Sequence, residues 1–119
     1  MIRKVRLAGV PVSDQDAALD FYTNKLGFEV QTDATMGNGY RWIEVVPPGA
    51  DTALTLFKPY PGQDGGANNS QPSIVFGTDD IDATYKELSG KGVEFVEAPA
   101  MQPWGVKQAI FRDPDGHSF

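Results

Sequence analysis

Apolar residues along the chain follow two periods. Ala17, Ala18, Phe21, Tyr22 and Leu26 fall at helical spacing and give one apolar stripe. Ile81, Thr84, Tyr85 and Leu88 give a second, ended by Gly90 and Gly92. Ser13 followed by Asp16 suits the start of the first helix, where acids favour the helix dipole. Gly27 suits its end, a left-handed position that costs glycine little. The stretches opening at Leu7 and Ser73, ahead of the two helices, read as strands. Further strands are predicted at 28–32, 40–46, 53–57, 93–97 and 106–111. Pro47-Pro48-Gly49 ends the strand at 40–46, and 59–72, rich in Gly, Asn and Pro, predicts a connection. Asp113-Pro114-Asp115-Gly116 has the residue order that a type I turn prefers.

The chain also repeats itself. Asp14, Asp16 and Ala17 recur as Asp80, Asp82 and Ala83 at a constant offset. Leu26-Gly27-Phe28-Glu29-Val30 is echoed by Lys91-Gly92-Val93-Glu94-Phe95 at an offset one residue shorter. Each half carries one tryptophan, Trp42 and Trp104. A repeat of this kind is one supersecondary unit used twice. The predicted fold class is therefore α+β, a single domain of two βαβββ modules at 1–58 and 73–119, joined by 59–72. The last strand of the second module has only begun at Phe119 and is expected to be incomplete.

Composition narrows the function. The chain has 119 residues, 40% of them hydrophobic and 22% charged, which excludes a disordered segment. A net charge of −6 argues against a nucleic-acid partner, which needs a basic face, and against an anionic membrane surface. Cysteine is absent, which excludes disulfides, thiolate metal sites and cysteine nucleophiles, and fits a cytoplasmic location. No apolar run approaches the roughly 20 residues of a membrane span. The first residues lack the apolar stretch and small-residue cleavage site of a signal peptide. The single histidine, His117, excludes any site built from two histidines of one chain.

Val12-Ser13-Asp14 with Ala17 and Ala18, Phe21-Tyr22, Leu26-Gly27-Phe28, Asp79-Asp80-Ile81-Asp82-Ala83-Thr84, Lys91-Gly92-Val93 and Asp113-Pro114-Asp115-Gly116 stand in a characteristic order. In that order the chain resembles the vicinal oxygen chelate superfamily, also called the glyoxalase/bleomycin resistance protein/dioxygenase superfamily. The resemblance covers nearly the whole chain. It implies two modules whose curved mixed sheets enclose a cleft, usually paired into a homodimer. It also implies, in members that use a metal, a ligand seven residues before the Asp that opens each helix, where this chain has Leu7 and Ser73. Leucine offers no lone pair, and a neutral serine hydroxyl is a poor ligand for such metals. A further acidic ligand would fall just beyond Phe119. No metal and no other cofactor is expected.

Other candidates come from the strands. Tyr40, Trp42 and Glu44 share one face of the strand at 40–46, and Arg41, Ile43 and Val45 the other. Two flat side chains beside a carboxylate suit a planar, cationic ligand, and they equally suit aromatics of a core or dimer interface with the acid at a wet edge. Phe57 alternates with Leu54 and Leu56 and is placed in the same cleft. Trp104, between Pro103 and Gly105, reads as an exposed loop anchor for a ligand or as simple loop packing. His117 follows the Asp-Pro-Asp-Gly turn and reads as a turn residue. The Asp pairs at the helix starts read as caps.

The expectation is a metal-free protein that sequesters an aromatic or cationic natural product or antibiotic on Tyr40, Trp42, Glu44, Phe57 and Trp104, with Leu7 and Ser73 in the cleft. A rival is an enzyme of the same fold using a ligand not seen here or Glu44 as acid/base, which calls for a raised Glu44 pKa. A second rival is a module that regulates or stabilises another protein.

Overall fold

The computed structural model describes residues 1–59 and 72–119. Its elements run β1 (Leu7–Pro11), α1 (Gln15–Asp20), β2 (Glu29–Thr35), β3 (Arg41–Val46), β4 (Ala53–Phe57), α2 (Ile81–Gly90), β5 (Glu94–Met101) and β6 (Lys107–Arg112). Backbone contacts divide the chain into two compact units, Met1–Ser70 and Gln71–Phe119. The predicted connection at 59–72 lies almost wholly outside the described residues.

In the first unit the sheet order is β1-β4-β3-β2. β1 pairs parallel with β4, while β4 with β3 and β3 with β2 are antiparallel. The parallel pair is possible because α1, β2 and β3 together form the long crossover that parallel strands need. Alternation then sorts the side chains. Val10, Ile43, Val45, Leu54 and Leu56 are buried, and with Ala18, Phe21 and Tyr22 they form the core. Gln15 ties the helix start to the sheet, its Nε2 donating to the carbonyls of Arg41 at 2.9 Å and Leu56 at 3.0 Å.

Of the cap candidates ahead of α1, the structure uses the first of the Asp pair and not Ser13. Asp14 is the capping residue, its carboxylate accepting from the Ala17 amide at 3.1 Å. The helical stripe is also not one regular helix. From Phe21 to Lys25 the backbone widens into a π-helical turn, with Leu26 N–H donating to the Phe21 carbonyl at 3.1 Å. The extra residue per turn lets Phe21 and Tyr22 both face inward, edge to face at 5.2 Å. Gly27 then turns the chain out at φ 82°.

The second unit repeats these devices. Asp80 caps α2 by accepting from the Ala83 amide at 3.0 Å. The β2–β3 turn has Met36 N–H on the Tyr40 carbonyl at 2.7 Å and Gly39 N–H on the Met36 carbonyl at 2.9 Å. The β5–β6 turn has Gln102 N–H on Val106 at 2.8 Å and Gly105 N–H on Gln102 at 3.0 Å. Each turn needs glycine at one place, Gly39 at φ 84° and Gly105 at φ 93°. In this unit Leu88 and Val93 are buried, and a half-buried chain of aromatic rings runs from Tyr85 to Phe95 (4.7 Å), Phe111 (5.7 Å) and Phe119 (5.7 Å), with Phe76 beside Phe119 at 5.4 Å.

Three strand predictions differ from the structure, the first being β2, which runs on from 32 to Thr35. β5 runs four residues past 97 to Met101, because its register shifts between Glu97 and Ala100. That break accommodates Pro99, which has no N–H to give the ladder. The segment from Ser73, predicted as a strand, is not one among the described residues. In the first unit β1 is a strand because β4 lies beside it, while among the described residues no ladder includes 73–78. The final strand has started, since Phe111 and Phe119 exchange N–H···O bonds of 2.9 and 2.8 Å. The turn before it is closed by Asp113, whose carboxylate accepts from the Asp115 and His117 amides at 3.1 and 2.8 Å. No helix among the described residues is long and apolar enough to cross a membrane.

Capping predicts a measurable cost. Asp80→Ala leaves the Ala83 amide unpartnered and lowers stability by about 1 kcal/mol, while Asp80→Asn, which keeps an acceptor, loses much less. Urea denaturation of the two variants beside the parent checks the order; equal losses would remove the cap from the account.

Candidate functional site

The face of the first sheet opposite the core carries most of the candidate residues. Register places them in rows. Gly9, Thr55, Glu44 and Thr32 are successive cross-strand neighbours on β1, β4, β3 and β2. One step of the pleat away, Pro11 lies beside Phe57 and Trp42 beside Ala34. Extending the β3–β4 register by two residues sets Phe57 across from Trp42. On the other side of the Glu44 row, Leu7 lies beside Ala53. The face therefore has an aromatic end, a polar middle and an aliphatic end.

Glu44 organises the polar row. It is 5% exposed. Its Oε1 accepts from Gln31 Nε2 at 2.7 Å and Thr32 Oγ1 at 3.3 Å, and its Oε2 accepts from Trp42 Nε1 at 2.8 Å. The Trp42 indole N–H, followed by the Gln31 amide, holds the carboxyl below the usual carboxylate range, and the charge of Arg6 adds to this. Burial pushes the other way and is outweighed. An ionised carboxylate has about four acceptor positions, of which three are occupied here. Glu44 is thus held as an anion at neutral pH, and it fixes the edge of Trp42. A general base for neutral pH needs a raised value, so the geometry gives the acid/base rival no support.

Phe57 reaches its place through Gly9. A Cβ added to Gly9 would lie 3.1 Å from Phe57 Cε1, so the ring rests against bare backbone. Tyr40 stands one residue before β3, and its hydroxyl donates to the Lys58 carbonyl at 2.8 Å, bracing the end of β4. Thr55 is 7% exposed and its Oγ1 has no hydrogen-bond partner. Arg41, at the start of β3, clamps two acids: its Nε and Nη2 donate to both oxygens of Asp33 at 2.9 Å, and its Nη1 to Asp16 at 2.6 Å. That clamp lowers the Asp33 pKa, chiefly through its hydrogen bonds, and ties β2 and α1 to β3.

The structure thus brings Leu7, Trp42, Glu44 and Phe57 onto one face, with Tyr40 at its margin. Ser73 and Trp104 belong to the second unit. Ser73 is exposed in the segment without a ladder, and Trp104 is 64% exposed at the tip of the β5–β6 turn. His117 sits in the turn, its backbone N–H on Asp113 and its carbonyl accepting from the Asp113 amide. Sequence reasoning missed Gln31, Thr32 and Gly9. Gln31 lies at a register shift between Val30 and Thr32, which strict alternation does not announce.

With this geometry in place, comparison with known proteins is informative. The family model described as "Glyoxalase/Bleomycin resistance protein/Dioxygenase superfamily" matches residues 4–119. The chain belongs to this superfamily. It is 37% identical over 119 residues to the uncharacterized protein YetH of Bacillus subtilis (strain 168), covering 100% of this chain and 97% of that one. A superfamily member from Sphaerobacter thermophilus DSM 20745 is 43% identical, with 99% and 94% of the two chains covered and a TM-score of 0.87. TnmS3, an antibiotic binding protein from Streptomyces sp. CB03234, is 40% identical, with 98% and 92% covered and a TM-score of 0.77. The mixed α+β fold with its sheets and few helices is that of the superfamily.

Two of the positions where the resemblance implies metal ligands do not supply good ones. Leu7 has no donor atom, and Ser73 offers only a neutral hydroxyl. Among the described residues no three His, Cys, Asp or Glu side chains cluster as a ligand set.

The lowered Glu44 pKa fixes the sign of a pH effect. The folded state binds fewer protons than the unfolded one in this window, so stability rises with pH there. The contribution is fully present above the ordinary glutamate pKa of about 4.3 and is lost as pH falls through the lower folded value. Glu44→Gln should therefore cost about 1–3 kcal/mol at pH 7 and progressively less toward pH 3. Urea midpoints of parent and variant across that range test it; a gap independent of pH would show that the charge is not what matters.

Proposed function

We propose that this protein is a small-molecule binding protein that sequesters a planar aromatic compound, such as a natural-product antibiotic, with no metal and no chemical change in the compound. The observation that carries the reading is Trp42, half-buried on the open sheet face with its indole edge locked by a buried anion. A side chain already immobilised loses little freedom when a ring stacks on it. Phe57 and Leu7 supply apolar surface on the same face, and Tyr40 borders it. The Glu44 charge favours a cationic ligand mainly through its field, because only about one acceptor position remains for a direct bond. In the second unit, exposed Trp104 serves as a further aromatic contact, with Ser73 as a polar one. TnmS3, at 40% identity, is described as an antibiotic binding protein, which supports the class of ligand. A homodimer and a cytoplasmic location complete the reading.

The test is uptake of doxorubicin, a planar cationic antibiotic, followed by native mass spectrometry and tryptophan quenching. The parent takes up intact compound, and Trp42→Ala weakens binding about tenfold or more, roughly 1.4 kcal/mol. Trp42→Phe retains part of the affinity. Release of a compound of altered mass, or a stoichiometric metal on the purified protein, would sink the reading.

A further inference from the structure

The polar row of the open face leaves two hydrogen-bonding valences unused, and they lie side by side. Thr55 and Glu44 are direct cross-strand neighbours on β4 and β3. Opposed residues on one face hold their Cβ atoms about 5 Å apart, so one small group can touch both. Glu44 accepts from Gln31, Thr32 and Trp42, which leaves about one of its four acceptor positions. Thr55 is 7% exposed, and its Oγ1 is enclosed with no hydrogen-bond partner among the described residues. Alternation along β4 settles its direction. Leu54 and Leu56 are in the core, so Thr55 points to the face that carries Glu44.

An orphan hydroxyl is a cost to the free protein. Buried polar groups normally have a partner, and an unpaired one forfeits its full desolvation penalty. Thr32, in the same row, spends its hydroxyl on Glu44. Valine at 55 would have the same shape as threonine and avoid the cost. The neighbour able to uncover the hydroxyl is Phe57. Its ring lies over Gly9, the residue beside Thr55 on β1, and comes to 3.1 Å from where a Cβ would stand. A phenyl ring has no hydrogen bond to break in turning aside.

We propose that Thr55 is a specificity-determining residue, and that the ligand of this face is a planar aromatic compound carrying a hydroxyl group at its rim. With Phe57 turned aside, that hydroxyl accepts from the Thr55 hydroxyl and donates to the free position on Glu44. A hydroxyl is small, uncharged, and donor and acceptor at once. An ammonium group can only donate, and it leaves the Thr55 proton unpaired. A site built around such a pair rejects a compound that lacks the hydroxyl, because its own polar groups then stay buried and unpaired. The proposal rests on the small-molecule reading and adds the class of ligand to it.

The probes are 2-naphthol and 2-methylnaphthalene, which exchange a hydroxyl for a methyl of similar size, and calorimetric titration reads their binding. The intact protein should bind 2-naphthol about tenfold or more tighter. Thr55→Val should abolish that preference, and Thr55→Ser, which keeps the hydroxyl, should retain much of it. Without ligand, Thr55→Val should raise the urea midpoint, since it removes an unpaired buried hydroxyl at nearly constant shape. Equal binding of the two probes by the parent would overturn the proposal, as would a preference that survives in Thr55→Val. A urea midpoint lowered by Thr55→Val would also overturn it, by showing that the hydroxyl has a partner in the free protein. So would failure of both naphthalenes to bind. In that case intact uptake of doxorubicin by the same sample shows that the sequestration reading stands alone, and no uptake shows that both fall.

Discussion

The first unit depends on β4 having two neighbours of opposite sense. Its parallel bonds to β1 and antiparallel bonds to β3 bring together segments far apart in sequence. Without β4, β1 would be an extended segment with unpaired backbone groups, and unpaired backbone must find water or another strand. Among the described residues, the segment from Ser73 has the alternating exposure of a strand and lies in no ladder.

The central strand also sets the chemistry of the open face. Through its register Thr55 lies beside Glu44, and Phe57 is carried to the row of Trp42. Burying a carboxylate in that row would be costly if it stood alone. Three donors offset the cost, two from β2 and one from Trp42 on β3 itself. The arrangement has a consequence for function. The acid cannot easily give up its partners to do proton transfer, and the tryptophan cannot easily swing away. The face is suited to holding a flat molecule more than to transforming one.

Much of this was legible in the residues. The two capped helices, both glycine-closed turns and the alternation of Trp42 and Glu44 against Ile43 and Val45 follow from local rules that act over a few residues. What was not legible depends on the third dimension or on an irregularity. The π-helical turn at Phe21–Lys25 keeps an apolar stripe that a regular helix would also show, so spacing cannot distinguish them. Gln31 reaches Glu44 from an irregular place in β2. Gly9 matters only because Phe57, forty-eight residues away in the chain, lies over it. The Glu44 network changed the reading most usefully: an acid on an aromatic face suggested a ligand partner or a base, and one of its hydrogen-bond partners is the aromatic itself.

The repeat sharpens this last point. The matched turns place Trp42 against Gln108 and Glu44 against Ile110 in the second unit. At the turn tips Asn38 stands against Trp104. Backbone geometry is thus kept to within a few tenths of an ångström in hydrogen-bond length, as the paired turns show, while the side chains that carry chemistry are exchanged. Scaffold residues repeat because both units must solve the same problems of capping and turning. The indole and its anion occur on one strand only, so the binding chemistry is a property of that strand's side chains and not of the fold. A substitution pair that moved Trp and Glu onto β6 would keep the backbone, including the register shift between Phe95 and Glu97 that matches the one between Val30 and Thr32, and would still lack the Gln31 donor, because Val96 stands at that place. The irregularity is thus part of the repeat, and the site lies in one unit because the side chains on that shared backbone differ.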